Sequence, residues 1–334
     1  MSNPVVVEVW RGGRVESTHR GAGAVLDADG TVVTKFGDVE RQVYPRSAVK
    51  AFQALPLIES GAADELGFGA TEIALACASH SGEEAHVATV SAMLARVGLD
   101  ERALACGAHW PLSERAARAL ARASAVPGAL HNNCSGKHAG LLCLACCRGI
   151  DPTGYVAPDH PVQREVAAAI AGMTGARLDE ETRAIDGCSI PTYALPLRAL
   201  ALGFARFGAG YDLEPERAKA AARIRAAVAA NPAMVAGEGR FDTEVMTILG
   251  ARAFTKSGAE GVFCAALPDL GLGLAVKADD GAGRAAQAMM AALIDRLGGF
   301  DEGLQAEIAP FIRPRLLNWN GIEVGVLRPA GPLA

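Results

Sequence analysis

Val5-Val6-Val7-Glu8-Val9-Trp10 near one end of the chain and Ile322-Glu323-Val324-Gly325-Val326-Leu327 near the other decide the fold. Both are short runs rich in β-branched residues, the pattern of strands. Beside the first run lie residues 15–20, 23–26 and 31–36, separated by Gly12-Gly13 and by the turn Asp27-Ala28-Asp29-Gly30. The first 45 residues therefore read as an antiparallel meander. From Ser47 to about residue 250 the apolar period changes to near 3.6, in 48–58, 86–97, 116–123, 162–173, 194–207 and 215–230. Gly67-Phe68-Gly69, Pro127-Gly128, Asp151-Pro152-Thr153-Gly154 and Gly208-Ala209-Gly210 cut these helical pieces apart. Strand patterns return at 262–267 and 272–277, followed by a helix over 285–297 and the final strand at 322–327.

This order predicts an α+β fold: one antiparallel sheet assembled from both chain ends, helices packed on it, and a central helical lobe. The sheet lobe spans about 1–45 plus 251–334 and the helical lobe about 46–250. With no polar or low-complexity linker between them, the expectation is a single domain over 1–334.

The 334 residues are 50% hydrophobic, enough for a sizeable core. A net charge of -5 and only 5% aromatics argue against a nucleic-acid partner. No run approaches the roughly 20 apolar residues of a membrane span, and Met1-Ser2-Asn3-Pro4 carries no basic leader. The expectation is a cytoplasmic protein without a membrane partner. Its eight cysteines should then be reduced, most of them, such as Cys146-Cys147, acting as small core residues.

Lysine is scarce, six against twenty-six arginines, and three of the six stand in motif-like settings. Arginine serves wherever only charge is needed, so a retained lysine points to an amine that must shed a proton or act as a compact donor. Ser47-Ala48-Val49-Lys50 places a serine and a lysine at i and i+3 of a helix start, on one face. Lys256-Ser257-Gly258, ahead of the strand at 262, adds a second cation. Ser-x-x-Lys early and Lys-Ser-Gly late is the plan of serine acylases of the β-lactamase and penicillin-binding type. The reading is a covalent acyl-enzyme on Ser47 with Lys50 as base. The same residues also suit an N-cap serine and a solvated lysine. Ser79 in Ser79-His80-Ser81-Gly82 offers another hydroxyl, paired with Lys256, or a helix cap before Glu83-Glu84.

His131-Asn132-Asn133-Cys134-Ser135-Gly136-Lys137-His138 and Asp186-Gly187-Cys188-Ser189-Ile190-Pro191 are polar turns that read as openings of apolar helices. Two thiolates and a nitrogen donor suit Zn²⁺, and spacing alone favours His138 over Lys137 as that donor. Buried structural cysteines are the competing reading.

Taken together with Cys77-Ala78-Ser79-His80-Ser81-Gly82-Glu83, Cys106-Gly107-Ala108-His109-Trp110-Pro111 and Lys256-Ser257-Gly258-Ala259-Glu260-Gly261, these runs resemble the rhizobial-type L-asparaginase II family over roughly residues 5–328. The resemblance implies hydrolysis of L-asparagine on a fold similar to serine β-lactamases and glutaminases. It implies Ser47 as nucleophile with Lys50 as base, Ser79 with Lys256 as a second pair, and zinc held by Cys134, Lys137 and Cys188. Asp186 would hydrogen-bond Lys137 or a zinc-bound water, and Arg46, His138, Asn133 and Asp186 are candidates to hold substrate. A homodimer is implied as well. Two alternatives stay open: a glutaminase or other serine acyl-transfer hydrolase, and a non-catalytic zinc-stabilised binding protein.

Overall fold

The computed structural model describes residues 2–334, which divide into two compact units. The sheet unit runs up to Ala48 and takes in Leu195–Asp212 and Ile248–Ala334. The helical unit comprises Val49–Ala194 and Leu213–Thr247.

An antiparallel sheet forms the first unit, in the order Arg315–Leu317, Glu323–Pro329, Val5–Arg11, Arg14–Asp27, Leu272–Ala278, Val262–Leu267 and Phe254–Ser257. Val32–Phe36 pairs beside Arg14–Asp27. Strands from the two chain ends meet where Val7 faces Pro329 and Val9 faces Leu327, as the terminal alternation predicts. Val262–Leu267 is buried at every position, so both of its faces are covered. Helices Leu197–Ala209 and Gly283–Gly298 pack on it and supply that cover.

Two expectations change here. Residues 15–20 and 23–26 are not separate strands but one strand, Arg14–Asp27. Its glycines mark close approach: a Cβ on Gly23 would lie 2.4 Å from the Phe36 ring, and one on Gly21 would lie 2.5 Å from the Lys277 carbonyl. The helix expected at 194–207 forms as Leu197–Ala209 and belongs to the sheet unit rather than to the helical lobe. Gly273 permits this, because a side chain there would run into the backbone of Ala201 and Ala205.

The helical unit contains helices Lys50–Glu59, Ala70–Ala76, Glu84–Ala95, Ser135–Cys147, Pro161–Thr174 and Pro215–Ala230, with a short hairpin of Arg183–Ile185 and Pro191–Tyr193. Lys50–Glu59 packs against four of the others, Ala70–Ala76, Ser135–Cys147, Pro161–Thr174 and Pro215–Ala230. Among the described residues no helix is long and apolar enough to cross a membrane.

Candidate functional site

Within the helical unit, the elements that carry the motifs converge. Lys50 is the first α-helical residue after a 3₁₀ turn, Arg46–Val49, and every residue from Lys50 to Ile58 is buried. Helix Ala70–Ala76 ends just before Cys77, and the chain then runs through Ala78 and Ser79 without regular structure. Helix Ser135–Cys147 starts inside its motif and is buried from Ser135 to Ala145. Gly136 fixes how that helix meets the end of helix Ala70–Ala76: a Cβ there would be 2.4 Å from the Leu75 carbonyl oxygen. Glycine thus lets the start of one helix lie directly on the last turn of another.

Lys50 Nζ lies at the centre of this junction, in a residue only 1% exposed. It donates to the Ala78 carbonyl at 2.6 Å, Ser79 Oγ at 3.0 Å, Cys134 Sγ at 3.1 Å and the Asn133 carbonyl at 3.5 Å. An amine this deeply buried needs such partners, since an unpaired polar group there costs several kcal/mol. The hydroxyl that the resemblance assigns to Lys256 is therefore hydrogen-bonded to Lys50, and a motif thiol shares the same amine.

Next to Cys134 lies a cluster of donors suited to a metal. Cys134 Sγ, Cys188 Sγ and an Asp186 carboxylate oxygen all lie within 4.8 Å of one another. Lys137 Nζ donates to Cys188 Sγ at 2.9 Å, and Cys188 Sγ is 3.2 Å from Asp186 Oδ2. The hydrogen bond from Cys188 is the largest influence holding the Cys134 thiol well below its ordinary pKa; burial opposes it, while Lys50 and Lys137 reinforce it. Cys188 is pushed up, first by its bond to Cys134 and then by burial. Burial works against charge on Lys137, but Cys188, Cys134 and Asp186 outweigh it and hold the amine above its ordinary value. The shifts thus favour thiolate at Cys134 and ammonium at Lys137, with the Cys188 thiol and the Asp186 carboxyl group beside them. Two buried sulfurs with a nearby oxygen or nitrogen fit a borderline-soft divalent ion.

The sequence reading differs here in two respects. Asp186 stands among the donor atoms themselves, not only behind them. Its turn lies within the hairpin of Arg183–Ile185 and Pro191–Tyr193, so a strand and not a helix follows it. Ser189 completes that turn with a positive φ of 77°, which lets its N–H reach the Asp186 carbonyl.

His138 is 0% exposed, with its Nδ1 2.5 Å from Tyr155 OH. Tyr155 in turn accepts the Ala105 N–H. Asn133 and Asp186 are half-buried. Ser47, Arg46 and Lys256 belong to the sheet unit. Lys256 lies ahead of strand Val262–Leu267, as expected, and is itself within a strand, Phe254–Ser257; it is 0% exposed and donates to the Ser257 carbonyl at 2.9 Å. A Cβ on Gly258 would be 2.5 Å from the Pro45 carbonyl oxygen. Glycine in Lys-Ser-Gly therefore allows that motif to lie against the backbone leading into Ser47. Arg46 adopts a φ of 51°, a left-handed conformation rare outside glycine.

Sequence reasoning named no role for His80, His109 or Asn132, which tie the motif segments together. His80 Nε2 bonds Ser135 Oγ at 2.9 Å, and Asn132 Nδ2 donates to the carbonyls of Cys106 and Gly107. Their place inside polar motif runs was the available signal.

The family described as L-asparaginase II matches residues 7–329. No curated protein matches the chain at a significant level. Among solved structures, Mglu in its native form is similar at 15% identity, with 85% of this chain and 66% of that chain covered and a TM-score of 0.44. This chain thus spans just under two thirds of the length of Mglu. A β-lactamase from Mycobacterium bovis is similar at 14% identity, with 83% and 94% covered and a TM-score of 0.34.

Proposed function

The chain belongs to the L-asparaginase II family, and from that premise we propose that it hydrolyses L-asparagine to L-aspartate and ammonia through an acyl-enzyme on Ser47. The observation that carries the catalytic part is the buried Lys50 amine, hydrogen-bonded to Ser79 Oγ and Cys134 Sγ. A solvated helix lysine, the competing reading of Ser-x-x-Lys, would not be 1% exposed.

In the proposed reaction Lys50 takes the Ser47 proton as Oγ attacks the side-chain amide carbon. The C–N bond then breaks, the proton passes to the leaving nitrogen, and ammonia departs. Water attacks the resulting aspartyl ester and regenerates Ser47. Ser79 and Lys256 supply a second hydroxyl and amine, while Arg46, Asn133, His138 and Asp186 are the proposed substrate-binding residues. Ser47 lies in the 3₁₀ turn Arg46–Val49, which leads directly into Lys50 at the start of its helix.

Zn²⁺ is the proposed cofactor. Cys134 and Cys188 would hold it with Lys137, as the resemblance implies, or with Asp186, whose carboxylate oxygen lies within 4.8 Å of both sulfurs. When bound, it would supply Lewis acidity for orienting substrate. Lys137, held above its ordinary value, would have to lose its proton to ligate. A homodimer and a cytoplasmic location complete the proposal.

Replacing Ser47 by Ala tests the assignment. Ammonia release from asparagine should fall to background while the melting temperature stays within a degree or two, as expected for a half-buried hydroxyl. Near wild-type turnover in that variant would sink the acyl-enzyme.

A further inference from the structure

We infer that His109 is a positioning residue for this site, holding Asn133 so that the Asn133 carbonyl and the Cys134 sulfur face Lys50. The inference rests on the acyl-transfer reading above and adds a residue to it.

His109 Nδ1 lies 2.7 Å from the Trp110 carbonyl, which can only accept, so Nδ1 carries the ring proton. Nε2 is then a free lone pair, and it accepts the Asn133 N–H at 3.0 Å. Asn133 precedes helix Ser135–Cys147, so its amide has no helical partner and would otherwise be an orphan donor. On its other side, the Asn133 carbonyl accepts the His80 N–H at 3.2 Å and Lys50 Nζ at 3.5 Å. Both backbone polar groups of Asn133 are thereby fixed, the N–H by the His109 side chain and the carbonyl by the His80 N–H and Lys50.

The loop carrying His109 is itself anchored independently. Asn132 Nδ2 holds the carbonyls of Cys106 and Gly107 at 2.9 and 3.1 Å, and its Oδ1 accepts the Cys134 N–H at 2.8 Å. Gly107, at φ +78°, makes the turn that brings His109 back toward Asn133. Two side chains therefore reach across the gap in opposite directions, Asn132 outward and His109 inward. Without the imidazole acceptor the Asn133 backbone can rotate, and rotation there carries Cys134 Sγ away from its 3.1 Å contact with Lys50. His109 is half-buried and touches no reacting atom, so its effect is on geometry.

The test compares His109→Leu, which fills similar space without an acceptor, with His109→Gln, whose amide oxygen can take the place of Nε2. In the full-length protein, hydrogen exchange of the Asn133 amide is followed by NMR alongside kcat and KM for asparagine. Leu should cost at least tenfold in Asn133 protection and about 10–100-fold in kcat, with KM changed less than about threefold; Gln should restore both. The inference is overturned if the Leu variant keeps its protection, loses it without loss of kcat, or is matched by Gln in both readouts. If the wild-type protein releases no ammonia from asparagine, the acyl-transfer reading fails. The exchange data still decide separately whether His109 holds Asn133.

Discussion

At the scale of single residues, the scarcity of lysine has a physical reason. Lys50, Lys137 and Lys256 are 1%, 2% and 0% exposed, and each donates from a compact amine: Lys50 to the Ala78 carbonyl, Lys137 to Cys188 Sγ and Lys256 to the Ser257 carbonyl. The three lysines that stand in motif-like settings are thus all buried. The sequence did not show that Lys50 would share its amine with Cys134, because those residues are 84 positions apart and spacing along the chain carries no information about that meeting. Charge at this scale also yields a pH prediction. Burial first, then His86, Lys50, His109 and His131, hold His80 well below its ordinary value of 6.5, and burial with Lys137 and Lys50 does the same for His138. Both rings are neutral in the folded protein and take up protons on unfolding below pH 6.5. Their contribution to stability is complete above 6.5 and is lost as the pH falls toward their folded values, at about 1.4 kcal/mol per pH unit for each ring. Denaturant midpoints should therefore drop between pH 6.5 and 5, and His80→Gln should shrink that drop. An unchanged slope in the variant would mean that His80 is not held neutral.

At the scale of elements, glycine decides what the apolar pattern could not. Continuous or alternating runs were readable: strand Val262–Leu267 and helix Pro215–Ala230 form over the residues their patterns mark. Dividing residues 15–20 from 23–26 was misleading, because in strand Arg14–Asp27 Gly21 and Gly23 allow neighbouring chain to approach and do not interrupt the strand. Helices Ala70–Ala76 and Glu302–Ile312 were not distinguished, the first being short and the second carrying Pro310 inside it. Gly136 provides the direct test of close approach. Gly136→Ala should cost about 1–3 kcal/mol, since its Cβ would press on the Leu75 carbonyl and backbone cannot step aside as a side chain can. Gly140→Ala is the control. There the nearest atom is the Ala76 Cβ at 3.3 Å, and the greater helix propensity of alanine offsets the crowding. Equal stability changes in the two variants would remove Gly136 as the residue that seats helix Ser135–Cys147.

For the whole molecule, the α+β class was legible because strand periods at both termini enclose a helical middle, and the sheet joins those termini. The place of Leu195–Asp212 was not legible, since a helix reads the same whether it packs on helices or on a sheet. The motifs divide accordingly: Ser47 and Lys256 belong to the sheet unit, while Lys50, Ser79, Cys134, Lys137, Asp186 and Cys188 belong to the helical unit. A proposed zinc ion in the second group should stabilise the folded chain, by about 4 kcal/mol where free metal exceeds its dissociation constant a thousandfold. Chelation should lower the melting temperature of the wild-type protein and leave that of a Cys134→Ser/Cys188→Ser variant unchanged. Identical responses would leave the donor cluster as an ion-paired polar core. The central claim, an amidohydrolase acting on asparagine, is tested most directly by measuring ammonia release from L-asparagine and L-glutamine side by side with purified zinc-supplied protein. Ammonia should be released from asparagine; release from glutamine alone, or from neither, would contradict the assignment.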